Sequence, residues 1–185
     1  MSGDCTLITT KSSASPANGW SGSYSRIALL GNPNCGKTTL FNALTGLHYK
    51  VANYPGVTVE SKSGVVQLEA GIRAEIVDLP GLYSLYATTL DEKVAVRVLG
   101  GQLSGEKAPD LIISVIDCTN LQRNLFLATQ IIDQGMPTVI ALTMYDEAQA
   151  MGIWIGKEIL ARALGVPVVA VIASRGVGLE QLKGC

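Results

Sequence analysis

Eight consecutive residues, Gly31-Asn32-Pro33-Asn34-Cys35-Gly36-Lys37-Thr38, constrain this chain more than any other feature. They fit the pattern G-x-x-x-x-G-K-[ST] without a gap. The apolar run Ile27–Leu30 leads in, and Thr39-Leu40-Phe41-Asn42-Ala43-Leu44 leads out with helical spacing. Strand, glycine loop and helix start form the arrangement in which backbone N–H groups converge on an anion. In such a loop Gly31 and Gly36 permit the tight path, Lys37 reaches the β- and γ-phosphates, and the Thr38 hydroxyl binds Mg²⁺. The expected ligand is a nucleoside phosphate, held by Asn34, Cys35, Gly36, Lys37, Thr38 and Thr39.

The 185 residues suit one domain, and 48% hydrophobic against 16% charged residues suit a globular core. A net charge of −1 without a basic block argues against nucleic acid as a partner. The four cysteines, Cys5, Cys35, Cys118 and Cys185, lack metal-ligand spacing and suit free thiols in a reducing compartment. No apolar stretch approaches the ~20 residues of a membrane span, and the N-terminus lacks the layout of a secretory signal.

Residues 1–24, rich in Ser, Thr, Gly and Ala, read as a flexible tail ahead of a domain over 25–185. Within that domain apolar runs alternate with helix-period segments. Strands are expected at Ile27–Leu30, Val57–Leu68, Ala74–Asp78, Leu111–Asp117, Thr138–Leu142 and Val168–Ile172. Helices are expected at Lys37–Leu44, Leu90–Leu99, Leu121–Gln134, Ile155–Leu164 and from Leu179 onward. Unbroken β-branched strands suit a parallel sheet covered on both faces. Val57–Leu68 and Ala74–Asp78, joined across Glu69-Ala70-Gly71, read as an antiparallel hairpin. The expected fold is three-layer α/β with six strands, mostly parallel with one antiparallel, and the ligand at the C-terminal strand ends. The last helix, about two turns long, reads as truncated.

Four further segments extend the site. Asp78-Leu79-Pro80-Gly81 closes a strand about forty residues after the loop, where Asp78 can hold Mg²⁺ and the Gly81 N–H can reach a γ-phosphate. Thr58 lies between the first helix and the next strand, placed to give Mg²⁺ a second hydroxyl while a γ-phosphate is bound. In Thr143-Met144-Tyr145-Asp146 the acidic side chain can accept from guanine N1–H and its exocyclic amine, a pair that adenine does not offer. Ala173-Ser174-Arg175 adds a backbone N–H for the guanine oxygen. GTP or GDP is thus favoured over ATP.

With these residues in hand, the chain resembles translation-factor-type GTPase domains, and specifically the cytosolic G domain of FeoB-type ferrous iron transporters. The likeness runs from about Arg26 to Lys183. It rests on Gly31–Asn42, Asn53–Glu60, Asp78–Leu85, Asp117–Leu125 and Met144–Ala148. It implies a GTPase whose nucleotide state controls Fe²⁺ passage through a membrane-spanning permease region. It also implies a place on the cytoplasmic face of the bacterial inner membrane, and leaves homo-oligomers of the full-length protein open. The helical and membrane domains of the family are not in this sequence.

Where the family usually has Asn and many GTPases have Lys, this chain has Thr143 and Met144. Ala52 and Tyr54 stand where the family commonly shows Gly and Trp. Leu82 takes the place of the water-positioning Gln of small GTPases, so hydrolysis is expected to be slow. Relatives with Asn at the Asn34 position use it to hold K⁺ beside the phosphates, with carbonyls near Ala52 and Tyr54 completing the site. The expected catalytic set is Lys37, Asn34, Thr58 and Gly81. Three other readings stay open: a soluble ribosome- or RNA-assembly GTPase, a nucleotide-gated binding module with negligible turnover, and an ATP-using kinase of the same loop class.

Overall fold

The computed structural model describes residues 25–68 and 71–185. The expected tail and the middle of the Glu69-Ala70-Gly71 turn lie outside those residues. Among the described residues seven strands form one sheet: β1 (Ser25–Gly31), β2 (Tyr49–Asn53), β3 (Glu60–Gln67), β4 (Arg73–Asp78), β5 (Leu111–Asp117), β6 (Thr138–Thr143) and β7 (Val168–Ala170). Their order is β2-β3-β4-β1-β5-β6-β7. β3 runs antiparallel to both neighbours, and every other pairing is parallel. The helices are α1 (Lys37–Thr45), α2 (Leu90–Leu99), α3 (Leu121–Asp133), α4 (Tyr145–Ala150), α5 (Lys157–Leu164) and α6 (Leu179–Lys183).

The expected three-layer architecture forms, with one strand more than the six read. The extra one, β2, has all five side chains exposed, so it carries no apolar alternation to read. The strand expected from Val57 begins instead at Glu60, because residues 54–59 close a turn in which the Tyr54 N–H donates to the Val59 carbonyl at 2.9 Å. The helix α4, only six residues long, had no expectation.

Alternation along β1 builds the layers. Ile27 and Leu29 pack with Leu40, Phe41 and Leu44 of α1 and Leu182 of α6. Ala28 and Leu30 face the other way, onto Val94 and Val98 of α2 and Leu127 and Ile131 of α3. Ile116, Ile140 and Leu142 extend the core beneath Ala148 of α4. Burying each large aliphatic side chain contributes about 1.5–3 kcal/mol. This core fixes the C-terminal ends of β1, β4, β5 and β6 side by side, where the sequence places its chemistry.

Candidate functional site

β1 ends at Gly31, and the loop to α1 turns through two left-handed residues, Asn34 (φ 64°) and Gly36 (φ 82°). Asn tolerates that region, whereas a β-branched residue at Gly36 would be strained. Gly36 is the N-cap of α1 and supplies no side-chain cap, and the first turn of the helix has no acidic residue. The first-turn amides are therefore open to an external anion. The Cys35 thiol is buried, which pushes its pKa up to about 11 despite nearby Lys37. Cys35 thus enters the site through its backbone.

Parallel pairing sets Asp78 of β4 opposite Leu29 of β1, beside the start of the loop. Its carboxylate pairs with the Lys37 ammonium. Lys37, Thr38, Thr58 and Asp78 together line a cleft of about 330 Å³. Three stretches separated in sequence thus converge on one cleft. Two hydroxyls and a carboxylate are hard oxygen donors, a set that suits Mg²⁺.

An adjoining cleft of about 700 Å³ contains Asn34, Gly36, Lys37, Thr38, Thr39, Gly81 and Met144. Gly81 packs on Pro33 so closely that a Cβ there would lie 3.0 Å from the Pro33 nitrogen. The Leu82 N–H donates to the Gly31 carbonyl at 3.0 Å, fastening this segment to the phosphate loop. The Leu82 side chain is wholly buried in the core under α2. Its position therefore supplies no side chain to the cleft at all.

The same cleft holds Tyr83, Thr89, Asp91 and Glu92, which the sequence reading missed. A signal for Thr89 and Glu92 was available, since Thr89-Leu90-Asp91-Glu92 fits the capping-box pattern ahead of an apolar run. The box forms: Glu92 N–H donates to the Thr89 hydroxyl, and the N–H groups of Thr88 and Thr89 donate to the Glu92 carboxylate. Those donors hold the Glu92 pKa down to about 2. Tyr83 lies under the Arg123 guanidinium, 4.3 Å from its ring centre.

At the far end, Thr143 is buried beneath the loop, and Met144 takes a left-handed turn (φ 51°) that starts α4. Asp146 falls in the first turn of α4 and pairs with Arg175 at 3.7 Å. Residues Ala173–Arg175 form a single 3₁₀ turn that packs against α1. Among the described residues, the N–H groups of Ala173 and Ser174 make no hydrogen bond, so they remain free to donate. The partners expected around Asn34 do not assemble in the same way. Ala52 is in the exposed edge strand and Tyr54 is buried in the core, and neither lines the cleft with Asn34.

Phosphate loop, strand-end aspartate and sheet order together define a phosphate-loop domain of the GTPase type. Comparison with known proteins narrows the class. The family model described as ferrous iron transport protein B matches residues 25–184. The Fe(2+) transporter FeoB of Escherichia coli (strain K12) is 45% identical over 161 residues, 85% of this chain and 20% of that protein. The crystal structure of the G domain of T. maritima FeoB is 42% identical with a TM-score of 0.77, covering 87% of this chain and 95% of that one. The cytosolic domain of the same transporter in a GDP form gives 42% and 0.80, covering 87% and 61%. The chain belongs to the FeoB family. It spans about a fifth of the length of the curated relatives it matches (18% and 20% for two of them).

Proposed function

We propose that this domain binds GTP and GDP, hydrolyses GTP slowly, and through that cycle controls a membrane-spanning Fe²⁺ permease region. The observation that carries the reading is the meeting of Lys37, Thr38, Thr58 and Asp78 in one cleft. The GDP form of the T. maritima relative supports the choice of nucleotide. The domain would then sit at the cytoplasmic face of the bacterial inner membrane, and homo-oligomers would be a property of the full-length transporter.

The loop amides and Lys37 hold the phosphates, and Lys37 exchanges its Asp78 partner for phosphate oxygens when nucleotide enters. That exchange frees the Asp78 carboxylate, which with Thr38 and Thr58 would hold Mg²⁺ to neutralise phosphate charge. Gly81 offers its N–H to the γ-phosphate. Asp146 accepts from the guanine edge, Ala173 and Ser174 donate to its oxygen, Arg175 flanks the carboxylate, and Met144 covers the base. Thr143 steadies the loop from below. No side chain stands at the Leu82 position to orient water, so turnover is slow, and K⁺ beside Asn34 would supply the missing positive charge.

Titration with fluorescent mant-GDP and mant-ADP, with and without Asp146→Ala, tests base recognition. GDP binding should weaken about 10- to 100-fold in the variant while ADP binding stays unchanged. Equal binding of both nucleotides by the wild-type chain would remove the guanine assignment. The burial of Leu82 favours one second reading, a nucleotide-gated module without turnover, which a single-turnover GTP assay at high K⁺ separates.

A further inference from the structure

Asn32, inside the phosphate loop, is only 3% exposed, and among the described residues neither its amide nitrogen nor its amide oxygen has a hydrogen-bond partner. Buried amides are nearly always paired, and a side chain with both ends unpaired carries the full cost of leaving water. The backbone does not require asparagine there. Asn32 is not among the residues with positive φ, and the following Pro33 favours an extended conformation that most residues adopt. Its carbonyl is already engaged, accepting from the Cys35 N–H at 3.3 Å. A small apolar side chain would satisfy this arrangement better.

The neighbouring wall can supply one. Asn32 lines the larger cleft with Pro33, Gly81 and Tyr83. Residues 79–88 contain no helix or strand. They are fastened at the near end by Leu79 N–H to the Leu29 carbonyl and Leu82 N–H to the Gly31 carbonyl. At the far end the Leu85 N–H donates to the Gln130 side chain at 2.9 Å. Between these anchors, among the described residues, the N–H groups of Gly81, Tyr83 and Ser84 make no hydrogen bond. The free N–H groups of Gly81 and Tyr83, on a segment without regular structure, thus belong to residues that share a cleft with a buried amide lacking partners.

We propose that Asn32 is a positioning residue for GTP hydrolysis. Once a γ-phosphate draws in the Gly81 N–H, the Asn32 amide pairs with the backbone at Tyr83–Ser84 and holds the segment in place. This rests on the GTPase reading above. In the diphosphate-bound state the amide stays unpaired, so its energy acts on the difference between the two nucleotide states and not on nucleotide binding as such.

The test compares the full chain with Asn32→Ala and Asn32→Ser. It measures GTP turnover, mant-GDP affinity, thermal midpoint, and hydrogen exchange at Tyr83 and Ser84 under GDP and under the analogue GMPPNP. Asn32→Ala should leave mant-GDP affinity and KM unchanged, keep or raise the thermal midpoint, and lower kcat about tenfold. Asn32→Ser, still polar but shorter, should fall between the two. In the wild type, GMPPNP should protect Tyr83 and Ser84 relative to GDP, and Asn32→Ala should abolish that difference. An unchanged kcat would overturn the proposal, as would a loss of kcat matched by equal losses of GDP affinity and stability. If the variants do not fold, the wild-type exchange decides: equal protection under both nucleotides overturns it. A wild-type chain that hydrolyses no GTP would instead remove the GTPase reading, leaving the exchange comparison to judge Asn32.

Discussion

The Thr143 hydroxyl donates to the Cys35 carbonyl at 2.6 Å, tying the end of β6 to the phosphate loop across 108 residues of sequence. The Ile116 carbonyl, at 3.1 Å, is the alternative acceptor, so one hydroxyl bridges β5, β6 and the loop. Thr143→Val keeps the shape and removes the donor, leaving the Cys35 carbonyl buried without it. Stability should fall by about 1–3 kcal/mol. Mant-GDP affinity should fall with it, because the loop loses its support from below. Thr143→Asn, whose amide can donate to the same carbonyl, should restore binding. Unchanged melting and unchanged affinity in Thr143→Val would mean that the contact supports nothing.

Asn34 is exposed in the larger cleft, whose lining does not include Ala52 or Tyr54. GTP turnover at matched ionic strength should be faster in K⁺ than in Na⁺, and Asn34→Ala should remove the difference. Equal wild-type rates in the two salts would eliminate the cation from the mechanism.

Cys35 and Cys118 are buried, whereas Cys185 is exposed. Burial pushes the Cys35 thiol up to about 11 and the Cys118 thiol to about 12. Iodoacetamide at pH 8 should label Cys185 and spare both buried thiols until the chain is denatured, as read by peptide mapping. Because the folded state raises these pKa values, the protonated thiols favour folding fully below pH 9, and that contribution drains away as pH rises toward 11–12. The stability advantage of wild type over Cys118→Ala should therefore shrink from pH 9 upward. A constant gap would contradict the burial argument.

Glu92 behaves with the opposite sign. Donation from Thr88 and Thr89 holds its pKa near 2, below the ordinary 4.5. Its carboxylate therefore stabilises the start of α2 above pH 4.5 and stops doing so as pH falls through 2. Glu92→Gln should lower the thermal midpoint at pH 7, with the difference closing across that acid window. A difference that persists at pH 2 would place the effect in packing rather than in the capping box.

How much was legible follows from the kind of signal each part carries. That Lys37, Thr38, Thr58, Asp78 and Gly81 would meet at one end of the sheet was readable because each stands in a loop or at a strand end whose spacing follows the phosphate-loop pattern. The core strands were readable because burial on both faces leaves unbroken apolar runs such as Leu111–Asp117. β2 was not, since an edge strand with every side chain exposed has no pattern to display. The helix α4 begins at the left-handed Met144, which lacks the side chain that normally marks a helix start. The buried state of Leu82 and the unpaired amide of Asn32 depend on packing between distant segments, which spacing along one chain does not encode. Thr89 and Glu92 carried a local signal that pointed only to a helix cap, and their place in the cleft emerged only from the fold.

The account rests on the loop at residues 31–38 gripping a phosphate tail, with Lys37 as its positive charge. Titration of mant-GDP against wild type and Lys37→Ala, with thermal melting as a folding control, measures this most directly. Loss of a charge-assisted contact should weaken GDP binding about 10- to 100-fold or more, with the fold intact. Full GDP affinity in a folded Lys37→Ala chain would contradict the account.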